Sequence, residues 1–497
     1  MEQTTKNRAT FQSRLGFILV SAGCAIGLGN VWKFPYVCGQ NGGGAFLLLY
    51  LFCLVLLGLP ILMCEFAIGR GSNRSIAQAL NQLEQPGSRY HLTKYMGIAG
   101  NYLLMMFYTM VTGWMLFYAF RYISGSIDAS STDATANAFQ QMLDSPGYMT
   151  LFAALVIVLC IGVCALGLQN GIEKVTKVMM LLLMGLMVVL AINSLRLEGA
   201  VEGLKFYLVP DFGKLFENGF TSVLFAAMTQ AFFTLSIGIG AMEIFGSYLK
   251  KDRRILGESI NVIVLDTVVA VVAGLIIIPA CFAYGIQPDS GPSLLFITLP
   301  NVFHHMAGSR IWGSCFFLFM SFAALSTVIA VFENIITMTV ELGNWSRKKS
   351  LLVNLVLIFV LSVPAILGFN VLSGIHPMGG TSTIMDAEDF LVSSNILPLG
   401  SLTYVLFCVR KNGWGWDAFL NEVNTGSGSK LPAWIRGYMT YALPALVCLI
   451  YLKGYYDTFS QKSLPVFCAW MLFAAALLAL IFWASFSRKK SPSKLAK

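Results

Sequence analysis

Residues 22–46, AGCAIGLGNVWKFPYVCGQNGGGAF, place Asn30 and Lys33 among several glycines inside the first long apolar run of the chain. A helix satisfies its own backbone hydrogen bonds, and the glycines and the polar residue at 27–30 predict that the helix is interrupted there. An interruption frees backbone N–H groups, which suit a carboxylate, and carbonyl groups, which suit a cation or an ammonium group. A zwitterion bound beside a cation would use both kinds of group. The predicted chemistry is therefore binding.

A second interruption is predicted at residues 236–240, SIGIG, in the apolar run five spans further along the chain. Paired breaks in corresponding helices indicate an inverted repeat, because a block of five spans reverses the direction of its second copy. Non-helical backbone at membrane depth is tolerated only where it is buried in protein or lines a cavity, so the breaks are expected to frame a binding site. Close helix packing through glycine is the alternative, and it stays open for Gly42, Gly43 and Gly44.

The two breaks are predicted to lie within membrane-spanning helices. Of the 497 residues 57% are hydrophobic and 11% charged, which leaves too little polar surface for soluble domains. About 20 apolar residues cross a bilayer as a helix, and twelve such spans lie between residues 15 and 486. The sequence predicts an all-α integral membrane protein with twelve transmembrane helices, in which a 5+5 inverted repeat with helices 1 and 6 unwound mid-membrane precedes two further helices.

The domain boundaries follow from these spans. Residues 1–12 form an N-terminal tail, 13–200 the first five-helix repeat, 201–412 the inverted second repeat, 413–486 helices 11 and 12, and 487–497 a basic tail. Most of the 33 Lys and Arg residues fall in loops on one side of the membrane, and basic loops remain cytoplasmic, so both termini are predicted to be cytoplasmic.

The net charge of +9 is explained by this topology and indicates no nucleic-acid partner. The eleven cysteines fall in or beside apolar runs and are interpreted as small apolar side chains. The glycosylation sequons at Asn73 and Asn344 lie in predicted cytoplasmic loops, where they would not be modified. This pattern favours a bacterial inner membrane as the location.

Four segments resemble the neurotransmitter:sodium symporter family: RLGFILVSAGCAIGLGNVWKFPYVCGQNGGGAF (14–46), CEFAIGR (64–70), TQAFFTLSIGIGAMEIFGSY (229–248) and FAALSTVIA (322–330). The resemblance extends from about Arg8 to the last span. It implies the leucine-transporter fold and sodium-coupled import of a neutral, hydrophobic or aromatic L-amino acid by alternating access. The leucine transporter of this family is itself the known example of broken helices that bind such a substrate. No enzymatic activity and no organic cofactor are implied, and the oligomeric state stays open.

The resemblance implies two sodium sites built from oxygen donors, the ligands that an alkali cation requires. The first would use the Ala25 carbonyl, the side chains of Asn30, Thr234 and Asp266, and the carboxylate of the substrate. Many family members have Asn in place of Asp266. The second would use the carbonyls of Gly23, Ile26 and Ala323 and the hydroxyls of Ser326 and Thr327. Hydrogen bonds to the carbonyl four residues earlier in the helix are the alternative role for these two hydroxyls.

The implied substrate contacts surround the two breaks. The amides of Leu28 and Gly29 and the hydroxyl of Tyr108 would bind the carboxylate, and carbonyls at Ala25, Phe233, Thr234 and near Ser236 would bind the amine. The side-chain pocket would be lined by Cys24, Leu104, Phe233, Ser236, Ile239 and Val331. None of these is charged, so an acidic or basic substrate would be buried without a partner.

Two gates are implied as well. Lys33 and Asp389 would form the outer gate with Gln230 alongside; Lys lacks the bidentate fork of the Arg that is common in the family, so this gate is expected to be looser. Arg8, Phe11, Tyr248 and Glu341 would form the inner gate. Of the remaining buried acids, Glu65 is expected to brace the first span and Glu333 to contribute a contact near a sodium site.

Three other functions are alternatives to sodium-coupled import: a membrane-embedded enzyme, a channel and a proton-coupled carrier. A membrane-embedded enzyme would need a metal cluster or a nucleophile–base pair, and neither HExxH nor GxSxG occurs. A channel would need a filter or a charged ring. The main alternative is a proton-coupled carrier of the same fold, because protonation of Asp266 or Glu333 could replace a sodium ion.

Chloride is expected not to be required. The positions aligned with the family's anion site are Tyr50, Gln230, Thr234 and Ala270. Asp266 lies about one helical turn before Ala270. An ionised Asp266 would supply the negative charge and would repel a chloride ion beside it.

Overall fold

The structure, a computed structural model, describes residues 10–127, 131–217, 219–285, 294–304, 306 and 308–487. The regular elements in these ranges are helices, and those at the twelve predicted spans are named α1 to α12. The bounds are α1, Arg14–Ala25 plus Gly29–Gln40; α2, Gly44–Ser72; α3, Tyr90–Ser124; α4, Pro146–Ala165; α5, Leu168–Leu195; α6, Phe220–Thr234 plus Ala241–Gly246; α7, Ile255–Ala283; α8, Ser309–Gly343; α9, Arg347–Leu367; α10, Ile384–Val409; α11, Ala433–Phe459; and α12, Leu464–Phe486. Shorter connecting helices are Ile76–Leu83, Thr132–Leu143, Ala200–Leu208, Phe212–Glu217, Leu299–His304 and Trp416–Val423.

Over the described ranges, ten of these helices are unbroken and long and apolar enough to cross a membrane. The other two, α1 and α6, are the helices in which the sequence predicts a break. The two parts of α1 meet at an angle of 54°. In α6 the residues 235–240 are not helical. The predicted all-α membrane fold, with the first helix of each five-helix block unwound, is confirmed.

The helices differ in how far the rest of the protein covers them. In the most apolar window of α10, 89% of the residues are buried, and in those of α3 and α8, 78%, compared with 17% in α12. The helix α8 packs against α1 and α3, and α1 also packs against α7. The two breaks therefore lie inside the bundle, while α12 presents its apolar side chains outwards.

The break in α6 depends on glycines whose backbone conformation other residues rarely adopt. Gly238 and Gly240 have φ angles of +95° and +72°, which glycine adopts without steric cost. A Cβ atom at Gly238 would lie 2.2 Å from the carbonyl oxygen of Leu397 in α10. The glycines thus permit both the turn and the close approach of α10 to the unwound segment.

Candidate functional site

The break in α1 is stabilised by side chains that replace the missing helical hydrogen-bond acceptors. The amide of Gly27 donates to Asn30 Oδ1 at 3.2 Å, and the amide of Leu28 donates to the hydroxyl oxygen of Tyr108 at 2.8 Å. Both are buried, and neither amide is left without an acceptor. Leu28 and Tyr108, two of the residues implied to bind a carboxylate, are therefore in direct contact.

The break in α6 is held by Glu65 of α2. This fully buried carboxylate accepts hydrogen bonds from the amides of Gly238 and Met242, the latter at 3.2 Å. The expectation that Glu65 braces the first span is wrong: the hydrogen bonds of its side chain reach the unwound segment of α6. Freed amides attract a carboxylate, and α2 supplies one here.

Five oxygen atoms gather where α8 passes the end of the first part of α1. Thr327 Oγ1 lies 3.2 Å from the carbonyl oxygen of Gly23, 3.4 Å from that of Ile26 and 3.5 Å from that of Ala323. Ser326 Oγ lies 3.4 Å from the Ile26 oxygen and 2.9 Å from the Ala323 oxygen. These are the five groups implied for the second sodium site, and their chemistry suits an alkali cation.

A second oxygen cluster joins α1, α6 and α7. Asp266 Oδ1 accepts hydrogen bonds from Asn30 Nδ2 at 2.8 Å and from Thr234 Oγ1 at 3.2 Å. All three side chains are fully buried. Ala25, whose carbonyl is the remaining implied ligand, lines the adjoining cavity. The structure thus brings together the three side chains implied for the first sodium site.

A narrow cavity lies between the two breaks. Its walls are formed by Ala25, Gly27, Gly29, Leu104, Tyr108, Phe233, Ser236, Ile239, Thr327, Val392 and Leu397. None of these residues is charged. Most of the implied side-chain pocket is therefore present. The cavity adjoins the second oxygen cluster through Thr327 and is also lined by Ala25, whose carbonyl is implied for the first sodium site.

The cavity differs from the implied pocket in two ways. Cys24 and Val331 do not line it: Cys24 is fully buried before the break, where its carbonyl accepts hydrogen bonds from Ser236 and Thr327. Val392 and Leu397 of α10 do line it. They lie at the start of, and directly after, the π-helical turn Val392–Ile396. No sequence signal points to them, because the register shift of a π turn cannot be read from apolar periodicity.

Above this cavity lies a wider one of about 250 Å³, separated from it by Phe233 and Tyr108, which line both. At its wall Lys33 Nζ contacts Asp389 Oδ2 at 2.8 Å and lies 4.3 Å from the centre of the Phe233 ring. The implied Lys33–Asp389 pair is thus present. Gln230 donates to the carbonyl oxygen of Gly29 at 2.7 Å and so contacts the break in α1.

On the opposite side, the rings of Phe11 and Tyr248 meet edge to face with centroids 6.0 Å apart. Glu341 accepts hydrogen bonds from the amide and the hydroxyl of Ser75. Arg8, the remaining residue of the implied inner gate, lies outside the described residues.

Glu333 belongs to this side of the protein. It accepts hydrogen bonds from the Tyr248 hydroxyl at 2.9 Å and from Arg347 Nη2 at 2.6 Å, and Arg347 also binds the carbonyl of Cys164. Within the described residues, the hydrogen-bond partners of Glu333 include no residue of either oxygen cluster, so the expected contact near a sodium site is not found. Arg347 is the first residue of α9, and its local sequence does not distinguish it from the other basic residues near the predicted cytoplasmic loops.

Comparison with known proteins identifies the family to which the chain belongs. A family model described as the sodium:neurotransmitter symporter family matches residues 8–142 and 131–491. The chain belongs to this family. As a member of the sodium:neurotransmitter symporter family, it is a multi-pass membrane transporter that depends on sodium, and not an enzyme.

Individual relatives agree with this assignment. An uncharacterized sodium-dependent transporter of Bacillus subtilis, YhdH, is 37% identical over 89% of this chain and 96% of its own length. An uncharacterized sodium-dependent transporter of Haemophilus influenzae is 32% identical over 91% of this chain and 100% of its own. The crystal structure of MhsT in complex with L-phenylalanine has 37% sequence identity and a TM-score of 0.82, and covers 90% of this chain and 100% of that one.

Proposed function

We propose that this symporter imports a neutral, hydrophobic or aromatic L-amino acid together with sodium ions at two sites, and that it does so without chloride. The observation that carries the proposal is an uncharged cavity between two clusters of oxygen ligands. Thr327 of the second cluster lines the cavity, and so does Ala25, whose carbonyl the family resemblance implies as a ligand at the first. Substrate and cations bound there would share residues of the cavity wall, so that binding of one would change the affinity for the other, which is what coupling of their transport requires.

The two ends of an amino acid would find different partners at the breaks. The amides of Leu28 and Gly29 and the Tyr108 hydroxyl would bind its carboxylate, since amides at the broken end of a helix carry partial positive charge. The Leu28 amide, which donates to the Tyr108 hydroxyl oxygen, would exchange that acceptor for the carboxylate. The carbonyls of Ala25, Phe233 and Thr234 and those near Ser236 would bind its ammonium group. Leu104, Ile239, Val392 and Leu397 would surround its side chain, and their apolar nature disfavours a charged one.

The relatives support the choice of an amino acid. MhsT, whose structure holds L-phenylalanine, shares 37% of its sequence with this chain, and its fold superposes over 90% of it. The apolar residues that replace Cys24 and Val331 at the cavity wall, Val392 and Leu397, leave that wall uncharged. A hydrophobic or aromatic side chain is therefore the substrate class that we propose.

Independence of chloride is supported by the groups at the aligned anion site. Thr234 donates its hydroxyl proton to Asp266, and Gln230 donates to the carbonyl of Gly29. Ala270 offers no donor. Tyr50, the fourth aligned residue, has a buried hydroxyl without an acceptor within the described residues and would be the donor left for an anion. Asp266 would be the negative charge beside the first sodium ion, and its repulsion would disfavour a chloride ion there.

Proton coupling is the second candidate, and one observation favours it. Asp266 is fully buried, and the hydrogen bonds that its carboxylate accepts within the described part of the chain come from the neutral groups of Asn30 and Thr234. A carboxylate buried without a cation favours its neutral form, so loss of sodium would favour uptake of a proton. Glu333 is a weaker candidate, because Arg347 pairs with it.

The gates and the orientation complete the proposal. Lys33 and Asp389 with Phe233 would close the outer side, and Phe11, Tyr248 and Glu341 together with Arg8 would close the inner side. Both termini would be cytoplasmic in a bacterial inner membrane. The two repeats, 13–200 and 201–412, would move relative to each other around the fixed site during alternating access.

Transport by the purified protein in proteoliposomes tests the proposal. A sodium gradient at clamped pH should drive uptake of L-phenylalanine or L-leucine, and a proton gradient without sodium should not. Uptake driven equally by the proton gradient would establish the second candidate. Absence of sodium-driven uptake and of sodium-dependent binding for both amino acids would refute the proposed substrate class.

A further inference from the structure

Two asparagines on facing helices form a hydrogen-bonded relay behind the substrate cavity. Asn101 of α3 donates from Nδ2 to the carbonyl oxygens of Gly97 and Ile239, each at 2.8 Å. Asn334 of α8 donates from its own Nδ2 to Asn101 Oδ1 at 3.0 Å. Both asparagine side chains are completely buried. The relay therefore joins α3 and α8 to the unwound segment of α6.

The direction of the relay is fixed by its end points. Ile239 and Gly97 offer carbonyl oxygens, which only accept, so Asn101 must turn its NH2 group towards them and its oxygen away. Asn334 must then present its NH2 group to that oxygen. Its own Oδ1 is buried and has no donor within the described ranges. A buried acceptor without a donor is costly, so the pair is poorly explained as a device for stability alone.

The carbonyl group that the relay holds belongs to Ile239, a residue of the cavity wall. Ile239 lies between Gly238 and Gly240, both with positive φ, and therefore lacks the support of helical neighbours. A Cβ atom at Gly100 would lie 2.7 Å from Ile239 Cγ2, so α3 approaches this side chain closely. The hydrogen bond of Asn101 thus fixes the carbonyl of a residue whose side chain faces the substrate cavity.

Each asparagine shares its helix with a residue that lines the cavity. Asn101 precedes Leu104 by three residues in α3, and Leu104 lines the cavity. Asn334 follows Thr327 by seven residues in α8, which is about two helical turns. The relay therefore lies at the end of the cavity where Leu104 and Ile239 meet.

We propose that Asn101, oriented by Asn334, is a positioning residue that sets the depth of the side-chain pocket and thereby the choice among amino-acid substrates. The inference rests on the proposed function. Without the relay the Ile239 carbonyl loses the hydrogen bond from Asn101, while Glu65 still holds the amides of Gly238 and Met242, so Ile239 can shift between these two fixed points. Amino acids with side chains of different length and shape would lose or gain affinity by different factors, because one methylene in an apolar pocket changes discrimination by about tenfold or more.

Three variants test this role. Asn101→Ala removes the hydrogen bond to Ile239. Asn334→Leu keeps the side-chain volume and removes the donor to Asn101. It removes the unpaired oxygen of Asn334 and leaves that of Asn101 unpaired instead, so the number of unpaired buried oxygens is unchanged and this variant is expected to fold. Asn354→Ala is the matched control: Asn354 is a buried asparagine of α9 that binds Tyr102 of α3 and Thr339 of α8, but not the unwound segment.

The measurement is sodium-dependent binding of radiolabelled L-phenylalanine and L-leucine to the purified full-length protein, with the ratio of the two dissociation constants as the readout. We expect this ratio to change about fivefold or more in Asn101→Ala, in the same direction but less in Asn334→Leu, and less than about twofold in Asn354→Ala. The double variant should equal Asn101→Ala, because both residues act through one hydrogen bond.

A merely structural role would lower the thermal stability of all three variants and leave the ratio unchanged. If wild type binds both amino acids and the ratio stays within about twofold in Asn101→Ala and Asn334→Leu, the positioning role is overturned while the proposed function stands. If wild type binds neither amino acid in sodium, the substrate class is wrong and the inference falls with it.

Discussion

Lys33 and Asp389 form an ion pair that joins the second part of α1 to α10, with Lys33 Nζ 2.8 Å from Asp389 Oδ2. The same ammonium group lies over the face of Phe233, which separates the narrow cavity from the wider one. Both charged side chains are partly exposed, so the pair is worth about 1 kcal/mol or less in stability. We therefore expect the pair to matter for closing the outer side of the cavity and not for the stability of the fold.

The first prediction concerns this pair. Lys33→Ala and Asp389→Ala should each reduce the rate of uptake, and the double variant should be little worse than either single one, because both remove the same contact. The charge-swapped pair, Lys33→Asp with Asp389→Lys, should recover part of the rate. Uptake rates at saturating sodium measure the cycle, and thermal stability should change little in all variants. Strictly additive losses would show that the two residues act separately.

The second prediction concerns the oxygen cluster on α8. Thr327→Val keeps the shape of the side chain and removes one of five oxygens, so the sodium concentration for half-maximal uptake should rise about tenfold, equivalent to about 1.4 kcal/mol. Ser321→Ala is the matched control, since the Ser321 hydroxyl on the same helix binds the carbonyl of Phe317. Uptake by Thr327→Val with unchanged sodium dependence would show that Thr327 is not a ligand.

The fold could be predicted from the sequence because each of its determinants is local. Apolar runs of membrane length give the helices, and glycines inside two of them give the breaks. Gly238 and Gly240 show the reason: their positive φ angles require a residue without a Cβ atom. The pairing of Lys33 with Asp389 was accessible only through resemblance, because nothing in the sequence places α1 beside α10.

The parts that could not be predicted depend on packing between distant segments. Glu65 contacts the unwound part of α6, 173 residues away at Gly238, and no pattern in α2 indicates that partner. Val392 and Leu397 reach the cavity because α10 contains a π turn between them. Asn101 and Asn334 are isolated polar residues in apolar helices, and only their shared hydrogen bond gives them a role.

The third prediction concerns Glu65. Its two carboxylate oxygens accept hydrogen bonds from two backbone N–H groups of the unwound segment. The side chain of Glu65→Gln has only one oxygen and would turn its NH2 group towards the second N–H group, which is also a donor. One amide would remain unpaired at a cost of about 1–3 kcal/mol, and substrate affinity should fall about tenfold. Equilibrium binding of L-phenylalanine measures this loss.

Glu258→Gln serves as the control for Glu65→Gln, because the buried carboxylate of Glu258 pairs with Arg14 and touches neither break. It should leave the affinity for L-phenylalanine unchanged. Equal losses of affinity in the two variants would mean that the loss reflects a buried carboxylate in general and not the support of α6.

The last prediction concerns chloride and Asp266. Asp266 is fully buried and is hydrogen-bonded to Asn30 and Thr234, so an ionised carboxylate there would offset the charge of a sodium ion. A chloride ion about 4 Å from this carboxylate would be repelled by about 4 kcal/mol at an effective dielectric constant of about 20. Replacing chloride with gluconate should therefore leave wild-type uptake unchanged. In Asp266→Asn the compensating charge is lost, and chloride should stimulate uptake severalfold, because the anion then meets a net positive site. A severalfold loss of wild-type uptake in gluconate would show that Asp266 is protonated during transport and that chloride, not this carboxylate, balances the sodium ion.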